Sequence, residues 1–297
     1  MHKNKGILFV LIGAASFGFT PIFVKTAFAS GYSLGQLNIA QMAVAFSFLW
    51  IIAVARRSSF KGLSRTNTIR LLITGAFVGL TSVFYYGSIQ YLPASLAIIL
   101  LFQFVWIGII FEWVFSKIRP TILTLGAISL ILTGVFLASD VIGGTIQDVP
   151  IIGVVLGLLS AFSYAGFIFF SGKAATTVDP WIRSAIMVTG SLVLVLVLFH
   201  GDLASVPSGG AGLWLLACGV GLFGAVLPPL FFALGAHQVP DGLANILSSV
   251  ELPVAIISAS LILSEEVTVL QWGGILLILG AIVLNELGSM RLRYRMK

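Results

Sequence analysis

Residues 121–132 read TILTLGAISLIL, and residues 268–279 read TVLQWGGILLIL. The two stretches lie 147 residues apart. They share Thr121 with Thr268, Leu123 with Leu270, Gly126 with Gly273, Ile128 with Ile275, and Leu130, Ile131 and Leu132 with Leu277, Ile278 and Leu279. The same offset, without a gap, sets Pro93, Leu96, Ala97, Ile99 and Leu100 on Pro240, Leu243, Ala244, Ile246 and Leu247. It also sets Leu11, Ala14, Ser16 and Phe23 on Leu158, Ala161, Ser163 and Phe170. Leucine matches are common in an apolar chain, but matched Pro, Ser, Thr and Gly at one constant offset are not. The chain therefore reads as a duplication, with residues 1–145 as the first repeat and 146–297 as the second.

Composition says what solvent the repeats live in. Of the 297 residues, 59% are hydrophobic and 9% charged, against roughly 25% charged in soluble domains. Mean hydropathy is +1.11. A water-soluble interior of this size cannot hide so much apolar surface, so lipid surrounds most of the chain. A spanning helix needs roughly 20 apolar residues. Ten candidates appear, at about 7–28, 34–55, 69–90, 94–116, 121–140, 151–172, 180–200, 211–235, 242–264 and 268–288. Backbone polar groups in hydrocarbon must be satisfied within each segment, so the expected fold is an all-α membrane bundle. Met1–Lys5 is short and basic, but the apolar run behind it extends past Ala27, so it reads as the start of the first span rather than a cleaved leader.

Positive charge fixes the expected orientation. With the N-terminus in the cytoplasm, fifteen of the sixteen Lys and Arg fall on that side and only Lys25 on the other. The inner set includes the loop with Arg56, Arg57, Lys61, Arg65 and Arg70, then Lys117, Arg119, Lys173, Arg183 and Arg291 to Lys297. The outer side receives Asp140, Asp148, Asp202, Glu265 and Glu266. Both termini are thus expected in the cytoplasm, and the membrane in question is the plasma membrane. The net charge of +6 serves orientation and not nucleic acid. A single cysteine, Cys218, excludes an intramolecular disulfide, and three scattered histidines make no metal site. No phosphate-binding glycine loop or nucleophile motif is present, so no cofactor, metal or catalytic residue is expected.

Five helices per repeat is an odd number, so the two halves must lie in opposite orientations. Inverted repeats are a transporter architecture, with substrate held near the midplane between halves and reached by alternating access. The whole pattern resembles the EamA-type carriers of the drug/metabolite transporter superfamily. The resemblance rests on the five-plus-five duplication, on Leu92–Ala97 and Val239–Ala244 opening the fourth and ninth helices, and on Ser264-Glu265-Glu266 followed by Thr268, Trp272, Gly273 and Gly280. It implies a central cavity lined by helices 1, 3, 4, 6, 8 and 9, helices 5 and 10 at the periphery with a homodimer contact as one use for them, a small organic metabolite as substrate, and export as the favoured direction.

Glu251 is the sharpest candidate for function. It lies near the middle of the ninth helix, where a carboxylate costs at least a few kcal/mol, and its repeat mate is Phe104, so the duplication does not demand it. Asn245 and Ser248 precede it at intervals of three and extend a polar strip. Such a carboxyl binds a cationic substrate group, takes a coupling proton, or hydrogen-bonds a neighbouring helix. Further candidates for substrate contact are Gln103 and Trp106 on the fourth helix, Tyr85 and Tyr86 on the third, Tyr164 on the sixth, and Phe17 and Thr20 on the first. An apolar pocket with a few hydrogen-bonding tips suits small amphipathic or aromatic solutes, and rings also hold cations. Glu112 and Lys25 read as charges reaching for the interface. Pro21, Pro228, Pro229 and Pro253 interrupt helices 1, 8 and 9 and are hinge candidates; their repeat mates are not proline. Gly273, Gly274 and Gly280 are expected to permit close helix packing. The expected function is a secondary carrier of an amino acid or similar solute, with a cation, amine or drug exporter as the alternative and a membrane enzyme or channel as remote ones.

Overall fold

The computed structural model describes residues 2–92, 94–138, 150–263 and 267–295. Pro93, Asp140, Asp148, Ser264, Glu265, Glu266 and Lys297 lie outside the described residues. Among those described, eight helices are long and apolar enough to cross a membrane. They are α1 (Asn4–Ala29), α2 (Leu34–Ala55), α3 (Arg65–Tyr91), α4 (Leu96–Ser116), α6 (Ile151–Ser171), α7 (Pro180–Leu198), α8 (Pro207–Gln238) and α9 (Gly242–Ile262). Two shorter apolar helices, α5 (Ile122–Ala138) and α10 (Val269–Asn285), complete the two sets of five. The helical backbone of α10 continues to Arg295.

Helix starts follow local chemistry. The Ser33 hydroxyl accepts from Gln36 N while the Gln36 side chain accepts from Ser33 N, a capping box that satisfies two otherwise orphaned amides of α2. Ser64 caps α3 through Asn67 N. Asp179 accepts from Trp181 N and is followed by Pro180, whose missing N–H costs nothing in the first turn of α7.

The two halves are interlocked. Helix α3 packs along α6 and α7, and α8 packs along α1 and α2, so the third helix of each half lies on the first two of the other. Small residues allow the approach. A Cβ added at Gly75 would strike the backbone of Met187, and one at Gly190 the backbone of Leu72. The Ser191 hydroxyl then donates to Gly75 O at 2.6 Å and ties α7 to α3. Helices α5 and α10 pack on each other at the edge, where Gly134 and Gly274 meet backbone to backbone. Gly273 and Gly280 depart from expectation: neither has a neighbour within 4 Å of its Cβ position.

The basic loops gather at one end of the bundle. There Arg56 stands over the Trp181 ring at 5.2 Å, Gly62 meets Thr177, and Lys173 Nζ donates to Ser116 Oγ. Lys25 is at the other end beside Tyr32 and Gln90. Arg183 does not behave as a loop cation. It is 1% exposed, with Nη1 donating to Ala233 O at 2.7 Å and Nη2 to Ser171 O at 2.6 Å. Those carbonyls end α6 and the last stretch of α8, and a guanidinium suits the negative pole of a helix. Arg183 thus clamps α6, α7 and α8 together. Hydrogen bonds to a charged group contribute about 1.5–3 kcal/mol each. Arg183→Ala is therefore expected to destabilise the protein by roughly 3 kcal/mol or more, and Arg183→Lys by less, since an ammonium still offers a charged donor to one of the two carbonyls. Melting of the detergent-purified variants checks this, and an unchanged transition in the alanine variant would refute the clamp.

Candidate functional site

Three spanning helices break inside the bundle. In α1, Gly18 N and Phe19 N turn to the carbonyls of Ala15 and Ser16, three residues back instead of four. In α4, Gln103 N bonds Leu100 O and Val105 N bonds Phe102 O. In α9, Ser249 N bonds Ile246 O and Val250 N bonds Leu247 O. Such mid-helix tightening frees carbonyls and weakens the rod. The breaks at 102–103 and 249–250 are one repeat apart, so the duplication reproduces the break as well as the residues. Helix α8 loosens instead, into a π-helical turn at Gly221–Val226.

The hinge candidates fall at these places. Pro21, Pro228 and Pro253 each lie within the first three residues of the segment that resumes after the irregular turn, and Pro229 directly follows Pro228. A proline there interrupts no intrahelical bond. The break in α4 carries no proline, so proline spacing did not reveal it.

The irregular turns converge. A Cβ at Gly18 would lie 2.6 Å from Glu251 O and 3.0 Å from Ala255 N, so the break of α1 is pressed against the break of α9. A Cβ at Gly224 of the π turn would lie 3.3 Å from Thr20 Oγ1. Glu251 begins the second stretch of α9 and is 3% exposed. Tyr164 of α6 brings its hydroxyl beside the Glu251 carboxyl. The pair stops short of a well-formed hydrogen bond, because the Tyr164 hydroxyl and Glu251 Oε2 each lack a partner among the described residues. Tyr85 and Tyr86 of α3 lie within reach of the carboxyl's charge. The Tyr164 ring stacks on Phe17 of α1 at 5.3 Å and takes Phe104 of α4 edge-on at 4.7 Å.

The predicted residues thus divide. Glu251, Tyr164, Tyr85, Tyr86 and Phe17 come together. Thr20 is adjacent, buried, and its hydroxyl has no partner among the described residues. Asn245 is buried but sits across the α9 break, its side chain packed on Gly108 of α4. Ser248 is buried and donates to Ala244 O at 2.8 Å within its own helix. Gln103 and Trp106 are not at the cluster. Gln103 Nε2 donates to Ile99 O beside the break, and its Oε1 accepts from Trp106 Nε1 at 2.7 Å. Trp106 is 39% exposed and faces the crevice between α4 and α5. Glu112 also departs from expectation: it is 8% exposed, and its carboxyl turns to Gly242 at the start of α9, where a helix N-terminus favours negative charge.

Two features escaped the sequence reading. Phe104, the repeat mate of Glu251, packs edge-on against Tyr164, a place that the 147-residue offset alone would have flagged. The α2 members of a buried polar chain shared with α3, Asn38 and Gln41, did not stand out either. Asn38 Oδ1 accepts from Gln41 Nε2 at 3.0 Å and from Ser82 Oγ at 2.7 Å, and Gln41 Oε1 lies 3.5 Å from the Tyr86 hydroxyl. Interior Asn and Gln look like ordinary helix-packing residues until a partner faces them.

Gly18 separates two outcomes. Gly18→Val places two methyls against the Glu251 backbone and should lower the melting temperature and prise α1 from α9. Tyr164→Phe keeps the rings and removes a hydroxyl with no partner, so its melting temperature should match or exceed that of the parent. A Gly18→Val protein that melts like the parent would contradict the close approach.

The chain resembles known proteins along its full length. The profile of the EamA-like transporter family matches residues 4–140 and again 151–287. An uncharacterized transporter of Synechocystis sp. is 26% identical over 213 residues, which cover 68% of this chain. The matched region spans 61% of that relative's length. A protein of known crystal structure superposes with a TM-score of 0.78 over 97% of this chain and 99% of its own, at 11% identity, a likeness of fold. The interlocked five-helix repeats and the twofold match together place the chain in the EamA-like transporter family.

Proposed function

We propose that this chain is a secondary active transporter of a small organic metabolite, an amino acid or similar amphipathic solute, working by alternating access and without catalysis. The observation that carries the reading is the buried Glu251 carboxyl at the junction of broken helices, walled by rings from both repeats. A carboxyl in hydrocarbon is costly and marks ion or substrate pathways. Here it lies beside Tyr164 from its own half, whose ring packs on Phe17 and Phe104 from the other, and within electrostatic reach of Tyr85 and Tyr86. A solute bound among them touches both halves at once, so its binding biases their relative arrangement. The turns before Pro21, Pro228, Pro229 and Pro253 supply the hinges. Proton exchange at Glu251 couples the cycle, and transport runs outward across the plasma membrane, with both termini in the cytoplasm. A second reading, an exporter of amines or cationic drugs with Glu251 as the cation site, is favoured by the aromatic wall, since rings and a carboxylate together hold organic cations. A homodimer through α5 and α10 is compatible with both.

A ligand panel on the detergent-purified protein tests the reading. Amino acids, nucleobases, amines, sugars and anionic metabolites are compared by thermal shift. A ligand at a hundred times its Kd stabilises by about 2.7 kcal/mol. Zwitterions or cations should raise the transition, and Glu251→Gln should abolish that rise. In proteoliposomes the same variant should lose the pH dependence of transport. Transport and pH response unchanged in Glu251→Gln would remove Glu251 from the mechanism.

A further inference from the structure

A second cavity lies away from the Glu251 cluster, between α3 and α6 at the end of the bundle that carries the basic loops. It measures about 440 Å³ and is open at the surface. Arg70 and Lys173 flank it, and no acidic residue lines it among the described residues. Its wall is apolar: Ile73, 56% exposed, and the rings of Phe77 and Phe170, stacked at 5.6 Å. Arg70 stands about one turn nearer the start of α3 than Ile73 and about two turns nearer than Phe77. Lys173 lies two residues past the end of α6, and its ammonium is positioned by Ser116 Oγ and the Phe169 ring. The order from rim to interior is therefore cation, aliphatic, aromatic.

We propose that this crevice is a binding site for an anionic phospholipid. The lipid phosphate sits between the guanidinium of Arg70 and the ammonium of Lys173, and one acyl chain lies along Ile73, Phe77 and Phe170. The layering matches the layering of a lipid: charge at headgroup depth, apolar surface toward the hydrocarbon. Basic pockets between spanning helices hold acidic headgroups, and each Lys or Arg near such a surface contributes appreciably. The crevice touches α3 of the first repeat and α6 of the second. A lipid in it would bridge the two halves, so the surrounding bilayer would bear on their relative movement.

The experiment is native mass spectrometry of the full chain released from mixed vesicles of phosphatidylglycerol and phosphatidylcholine. The protein should retain phosphatidylglycerol preferentially. An Arg70→Gln/Lys173→Gln double variant should lower that retention about tenfold, while Arg57→Gln/Arg65→Gln, at the same end but outside the crevice, should leave it unchanged. Thermal melting of all three proteins establishes that each is folded. Phosphatidylglycerol should raise the transition of the parent and control but not of the double variant, and glycerophosphate without chains should raise none. Equal loss in both variants would mean diffuse surface charge, and an equal shift with glycerophosphate would mean a free phosphate site. Either result, or full retention in the double variant, overturns the proposal.

Discussion

Inside hydrocarbon a backbone amide or carbonyl has no water to turn to, so a helix can break there only where the protein itself surrounds the break. This protein breaks three of its spanning helices and loosens a fourth. All four irregular turns are held in the interior, and the contacts of Gly18 with Glu251 and of Gly224 with Thr20 press three of them together. In α4 the Gln103 amide serves the carbonyl of Ile99 beside the break. In α1 and α9 the tightened turns leave the polar atoms of Thr20, Ser249 and Glu251 buried without partners among the described residues. Each such atom costs about 1–3 kcal/mol. Burying them therefore opposes the stability that the surrounding packing supplies.

The rest of the fold supports that centre. Interlocking α3 with α6 and α7, and α8 with α1 and α2, gives each repeat a grip on the other. The grip depends on glycines where backbones approach and on Ser191 across the approach. Arg183 adds a charged clamp that ties α7 to the carbonyls of Ser171 in α6 and Ala233 in α8. Stiffness is thus placed at the periphery and irregularity in the middle.

The two halves share a scaffold and differ where function is proposed. Their breaks in α4 and α9 coincide under the repeat, yet one begins its second stretch with Phe104 and the other with Glu251. Duplication supplied the geometry, and divergence placed a carboxyl on one side and an aromatic ring on the other. The prolines show the same asymmetry, since Pro21, Pro228 and Pro253 have no proline mates.

Much of this was legible in the chain. Apolar runs, the 147-residue offset and the odd number of helices per repeat determined an inverted ten-helix membrane fold, because lipid admits few alternatives for a backbone. Glu251 stood out for the same reason, as a carboxylate in a long apolar run is expensive wherever it faces. The tertiary structure alone decided which side chains share its neighbourhood. Trp106 turned outward and Tyr164 inward, though both lie on apolar helices with similar spacing, because direction depends on how each helix is rotated in the bundle. Arg183 left the loops and entered the interior, because two helix ends happened to need a donor there. Partners of that kind come from segments tens of residues apart, and helix periodicity, which reports only on neighbours three or four positions away, carries no record of them.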